Sequence, residues 1–192
     1  MPSDDISEDR RAAFHETGHA VAAVLYGISF LGIDVGHRLR GGRPSVGGYM
    51  GSPGEYETIV SPGRNEVMRQ LVMLFSGAAA ERLVDHDEDA IAEGCQTDEE
   101  DALRLAESAY PSRGGGGQRD AWIREAREAS SRLVAHQADE IREVVEALLN
   151  LRGLTRREVE DIVLGPLRDR RRTVLRRPGH PEICLAEKPP GR

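Results

Sequence analysis

Cysteine is nearly absent: the 192-residue chain carries only Cys95 and Cys184. Two thiols make no disulfide framework, and no signal-peptide pattern opens the chain, so a reducing, cytoplasmic setting is expected. Long apolar runs are also missing. The longest near-apolar stretch, Ala20 to Ile33, is too short to span a bilayer and is interrupted by Gly27, Ser29 and Gly32, so no membrane span is expected. No Gly-x-x-x-x-Gly-Lys-Ser/Thr loop is present to hold ATP, and no internal repeat is visible. Positive charge is in deficit: 26 basic against 33 acidic residues leave a net charge of -7, which excludes a general nucleic-acid binder. The one dense basic run, Arg168 to Arg177, reads as a solvated tail rather than an anion site.

Against these absences stands one motif, Phe14-His15-Glu16-Thr17-Gly18-His19-Ala20. On a helix His15 and His19 lie one turn apart on the same face, the spacing at which two imidazoles grip one metal ion. Glu16 lies about 100° round the helix, where it reaches a metal-bound water instead of the metal. The flanks are apolar nearly all round, so this helix is expected to be buried, with Ser7 as N-cap and Gly27 as its stop. The competing reading is two core histidines that only hydrogen-bond within the interior, as buried imidazoles must. Glu16 between them favours the metal.

The 39% hydrophobic content supports one domain with a real core. Its expected bounds are residues 1–165, followed by an Arg- and Pro-rich tail over 166–192 that is expected to be poorly ordered. Phe30 to Val35 and Ser45 to Met50 read as short strands, with Thr58 to Val60 as a third. Ser61-Pro62 opens a helix running to about Val84, thinned on one side by Gly77, Ala78, Ala79 and Ala80. The preferred neighbour for that thin side is the His15–His19 helix. Asp85 to Glu93 reads as loop with a short turn. Thr97 to Glu100 is a capping box that puts Asp98 at the first helical position, where the helix dipole favours its ionised form. By spacing alone Asp87, Glu99 and Asp101 are equal candidates for a third ligand. Gly114 to Gly117 is a joint before a long helix, about Ala121 to Leu151, closed by Gly153. Thr155 to Glu158 is a second capping box. His37, His86 and His136 belong to no motif, and His180 and Cys184 fall in the tail.

Taken in order, these pieces resemble the peptidase domain of the FtsH-type ATP-dependent zinc proteases. The residues that carry the resemblance are His15-Glu16-Thr17-Gly18-His19-Ala20, Gly47-Gly48-Tyr49 and Phe75-Ser76-Gly77-Ala78-Ala79-Ala80-Glu81. Gly94-Cys95-Gln96-Thr97-Asp98 and Leu154-Thr155 with Glu158-Val159 complete them, over about residues 9 to 164. The resemblance implies a mainly α-helical zinc-metallopeptidase domain with a small β-sheet. It implies one Zn2+ per chain on His15, His19 and Asp98, with Glu16 as general base. It implies ring-forming homo-oligomers and unfolded polypeptide substrates fed by an ATPase. The ATPase domain and the membrane helices of that family are not in this sequence, Thr97 stands where Asn is usual, and Thr17 where Ala is usual. The segment Glu107 to Ala121 is much shorter than the family's stretch there, which helps cover the active site.

The expected function is therefore a zinc-dependent metalloendopeptidase acting on unfolded or flexible polypeptides. A substrate is expected to pair with the strand at Gly47, Gly48 and Tyr49, where two glycines permit close backbone approach. The alternative is a non-catalytic or partner-dependent module that keeps the metal as a staple, with a separate ATPase or adaptor as partner. Glu16 argues against a purely structural site, which closes its fourth position and needs no base. A repressor-cleaving metallopeptidase of another zincin type is a further reading, against which the Gly-x-x-x-Asp helix start counts.

Overall fold

The structure, a computed structural model, describes residues 7–35, 64–109 and 116–175. The fold is mainly helical: among the described residues there are seven helices and one two-stranded antiparallel sheet. None of these helices is long and apolar enough to cross a membrane.

Helix α1, Glu8–Tyr26, is the central element. Ser7 accepts a hydrogen bond from the Arg10 amide at 3.3 Å, and Glu8 and Asp9 in the first turn complement the helix dipole. Gly27 ends the helix in the left-handed conformation at φ 71°. Ala13, Phe14, Ala20, Val21, Ala22 and Ala23 are all essentially inaccessible, so α1 is covered on every side. That follows from its nearly all-round apolar sequence, with each large side chain contributing about 1.5–3 kcal/mol on burial.

Two apolar clusters flank it. One joins α1 to helix α6, Ala138–Leu151, through Ile141, Val144, Val145 and Leu148, and to helix α7, Arg156–Leu175, through Val159 and Val163. The other joins helix α2, Arg64–Glu81, to helix α4, Gln96–Ala109, and helix α5, Gly116–His136, through Val67, Leu71, Phe75, Ala102, Trp122 and Ala126. Strand β1, Gly32–Asp34, pairs with β2, Gly153–Thr155, in the register Gly32 to Thr155, Ile33 to Leu154 and Asp34 to Gly153.

Several elements differ from the sequence expectation. The single long helix is two, α5 and α6, parted at Gln137 (φ -105°, ψ 19°) with no glycine or proline to mark the break. The cause is tertiary: α5 packs its apolar face on α2 and α4, whereas α6 packs on α1, and one straight helix cannot serve both clusters. The left-handed residue after α6 is Arg152 (φ 64°), not Gly153, which belongs to β2. The segment read as loop contains helix α3, Glu88–Gly94, because Asp87 caps two amides and Ile91 is fully buried. Helix α7 continues through Gly165 and Pro166 to Leu175, ten residues past the expected domain end. The second capping box forms with both arms: Glu158 accepts from the Thr155 amide at 2.7 Å, and Thr155 accepts from the Glu158 amide at 3.4 Å.

Candidate metal centre

The site lies where α1, α2 and the α3–α4 junction meet. The thin side of α2 does face the histidine helix. A Cβ on Gly18 would overlap the Ser76 carbonyl oxygen and come within 2.8 Å of the Ala80 Cβ. A Cβ on Gly77 would stand 2.6 Å from His19 Nε2 and 2.8 Å from His15 Cε1. Glycine at both positions lets α2 approach until its backbone supports the two imidazoles.

His15 and His19 project from one face of α1, their rings edge to face with centroids 4.6 Å apart. Their Nε2 atoms are 2.9 Å apart. Asp98 Oδ2 completes a triangle, 3.0 Å from His15 Nε2 and 3.2 Å from His19 Nε2. Of the acids that spacing alone left equal, Asp98 is the one whose carboxylate lies against both rings. Its position in α4 differs from expectation: the helix starts at Gln96, so Asp98 is its third residue and the Thr97 capping box does not form. The ladder already runs through Cys95, whose amide donates to Ile91 and whose carbonyl accepts from Glu99, and Thr97 has no free helix end to cap. Asp98 remains in the first turn, at the positive end of the dipole.

The outer nitrogens of both rings are tied. His19 Nδ1 donates to the Met73 carbonyl oxygen at 2.8 Å. A carbonyl only accepts, so the proton of a neutral His19 sits on Nδ1 and Nε2 presents a lone pair. His15 Nδ1 donates to Glu81 Oε1 at 2.6 Å, with the same consequence. Glu81 is itself buried and held by the Arg11 guanidinium, which donates to Oε2 at 3.4 Å and lies 3.1 Å from Asp85. With both rings neutral, two nitrogen lone pairs and a carboxylate therefore converge on one point.

Charge is distributed accordingly. Burial by itself lowers the His15 imidazole, but contacts with Asp98, Cys95 and Glu81 outweigh it and raise His15 well above its ordinary range. Burial by itself raises Asp98, but its contacts with His15 and His19 prevail and hold it well below the usual carboxylate range. A proton on His15 Nε2 donates to Asp98 Oδ2 across 3.0 Å. Glu16 is buried beside the triangle, and burial pushes its carboxyl up.

Three contributors were not assigned a role from sequence: Glu81, Arg11 and the Met73 carbonyl. Glu81 belongs to the Ser76-Gly77-Ala78-Ala79-Ala80-Glu81 run, yet nothing local marks it as the partner of a histidine 66 positions away. Cys95, also unassigned, lies 3.8 Å from His15 Nδ1, and burial pushes its thiol up. Gly47, Gly48 and Tyr49, the expected substrate strand, lie outside the described residues, as do the expected strand at 58–60 and the opening of the α2 helix at Ser61-Pro62. The groups His15, His19, Asp98 and His15, Glu81, Cys95 each have the donor types and proximity to bind a metal ion.

No protein-family model matches the chain, and no curated protein matches it.

Proposed function

We propose that this chain is a zinc-dependent metalloendopeptidase of FtsH-type peptidase architecture, acting on unfolded or flexible polypeptides. The observation that carries the proposal is the convergence of His15 Nε2, His19 Nε2 and Asp98 Oδ2, with the outer nitrogens of both rings already committed. Tetrahedral coordination at about 2.0–2.1 Å puts two nitrogen or oxygen ligands about 3.3 Å apart. The three separations of 2.9, 3.0 and 3.2 Å fall within a few tenths of an ångström of that. Two imidazoles and a carboxylate are also the ligand set of zinc sites that keep a fourth position open.

Zinc, if bound here, would supply a Lewis acid and would acidify the attacking water. His15, His19 and Asp98 hold it, while Glu81 and the Met73 carbonyl fix the ring orientations and keep both Nε2 atoms available. Glu16 takes the proton of the attacking water and passes it to the leaving amine nitrogen. Substrate recognition by the strand at Gly47, Gly48 and Tyr49, and feeding by a separate ATPase, are further parts of the same reading.

The test is incubation of the zinc-loaded chain with a disordered polypeptide in the absence of ATP, with detection of new N-termini. Cleavage is expected, stopped by a chelator, restored by one equivalent of zinc and lost with Asp98→Ala. Zinc bound one to one with no cleavage would leave a metal-stapled or partner-dependent module instead.

Metal binding also has a proton signature. Asp98, Cys95 and Glu81 hold the His15 imidazole well above its ordinary range, so zinc binding at Nε2 is expected to displace about one proton. Affinity is therefore expected to fall as pH drops, by about tenfold per unit while His15 is protonated. Calorimetric titrations in buffers of different ionisation enthalpy should give a slope near one proton, and a slope near zero would contradict the assignment.

A further inference from the structure

The proposed mechanism uses His15 through Nε2 and leaves the other edge of its ring facing a second set of donors. Cys95 Sγ lies 3.8 Å from His15 Nδ1 and 3.7 Å from Glu81 Oε1, and Nδ1 and Oε1 are 2.6 Å apart. These side chains come from three places: the middle of α1, the last residue of α2, and the single residue between α3 and α4. Cys95 and Glu81 are each only 3% exposed. Thiolate, imidazole and carboxylate around one ion make a set that favours thiophilic metals. Tetrahedral coordination with a sulfur bond of about 2.3 Å puts the sulfur about 3.6 Å from a nitrogen or oxygen ligand, close to both separations seen. The Nδ1 to Oε1 separation is that of a hydrogen bond and widens towards about 3.3 Å by a torsion of the Glu81 carboxylate when a cation replaces the proton.

We propose that His15 Nδ1, Glu81 and Cys95 form a second cation site, which takes a thiophilic divalent ion and competes with the first site for His15. A neutral imidazole has one lone pair, so the ring serves one ion at a time. On capture, the Cys95 thiol releases its proton to solvent and a sulfur–metal bond forms. The ring proton leaves Nδ1, to solvent where Nε2 already carries a proton and onto Nε2 where that nitrogen has just released an ion, and in both cases Asp98 Oδ2 accepts the Nε2–H as a hydrogen bond. An ion at the first site loses one of its three ligands in the exchange. Capture at Cys95 is independent of whether the chain cleaves peptides; the competition rests on the metal-binding reading of the first site.

The test uses the full chain with Cys184→Ser, which leaves Cys95 as its one thiol. Cadmium is titrated into the metal-free protein while the thiolate-to-cadmium charge-transfer absorption is followed. The band is expected to saturate at one equivalent, to vanish with Cys95→Ala, and to persist with Asp98→Ala, which breaks the first site only. Preloading with one equivalent of zinc is expected to weaken cadmium binding at Cys95 at least tenfold, and to do so far less with Asp98→Ala. Absence of the band, or a band that survives Cys95→Ala, overturns the site. Cadmium binding unweakened by zinc overturns the competition. Zinc that fails to bind the Cys95→Ala chain counts against the first site, not the second.

Discussion

Gly77→Ala is expected to weaken zinc binding by about a hundredfold or more while the chain stays folded. The added methyl would stand 2.6 Å from His19 Nε2 and 2.8 Å from His15 Cε1, distances at which something must move. Neither ring has a free direction. His19 is pinned by the Met73 carbonyl at 2.8 Å and His15 by Glu81 at 2.6 Å. The imidazoles therefore yield at their Nε2 ends, where the triangle with Asp98 is made, and loss of a well-placed ligand or its orientation typically costs 10- to 100-fold or more in metal affinity. The measurement is a zinc dissociation constant by chelator competition, with circular dichroism to confirm that the helices persist. Zinc affinity equal to the parent's would show that α2 does not support the rings as described.

Gly18→Ala acts on the same helix pair but through stability. Helix propensity alone predicts a gain of about 1 kcal/mol for alanine in place of a mid-helix glycine. Here the methyl would meet the Ser76 carbonyl and the Ala80 Cβ, so α1 and α2 must separate. Overpacking a close contact costs about 1–3 kcal/mol, and contact with backbone puts this case at the upper end, for a net loss of about 2 kcal/mol. In a domain of this size that lowers the melting temperature by about 4–8 °C. Thermal denaturation of the metal-free protein reads the effect without interference from the site. An unchanged or raised melting temperature would contradict the close approach of the two helices.

Much of this was legible locally. The His15–His19 spacing, the Ser7 and Gly27 caps, and the Thr155–Glu158 box are rules of one helix turn, and each of these features forms where its residues stand. The facing of α2 on α1 was legible too, because a glycine and three alanines in a row leave a side that only another close backbone fills. The rest depends on tertiary contacts that no window of sequence contains. Asp98 was one acid among several until α4 was placed against α1, and its helix starts at Gln96 because the α3–α4 junction continues the ladder through Cys95. Glu81 becomes the support of His15 only when the end of α2 lies over α1. The break at Gln137 arises because α5 and α6 face different clusters, and its residues carry no breaker.

Peptidase activity is tested most directly by cleavage of an unfolded protein by the zinc-loaded chain without ATP, beside the Glu16→Gln variant. The amide keeps the size of Glu16 and removes its ability to carry a proton, while leaving His15, His19 and Asp98 untouched. Glu16→Gln is expected to bind zinc one to one like the parent and to cleave about 10²- to 10⁴-fold more slowly, the usual range for a lost general base. Cleavage by the variant at the parent's rate would contradict Glu16 as the proton carrier, and with it the peptidase mechanism.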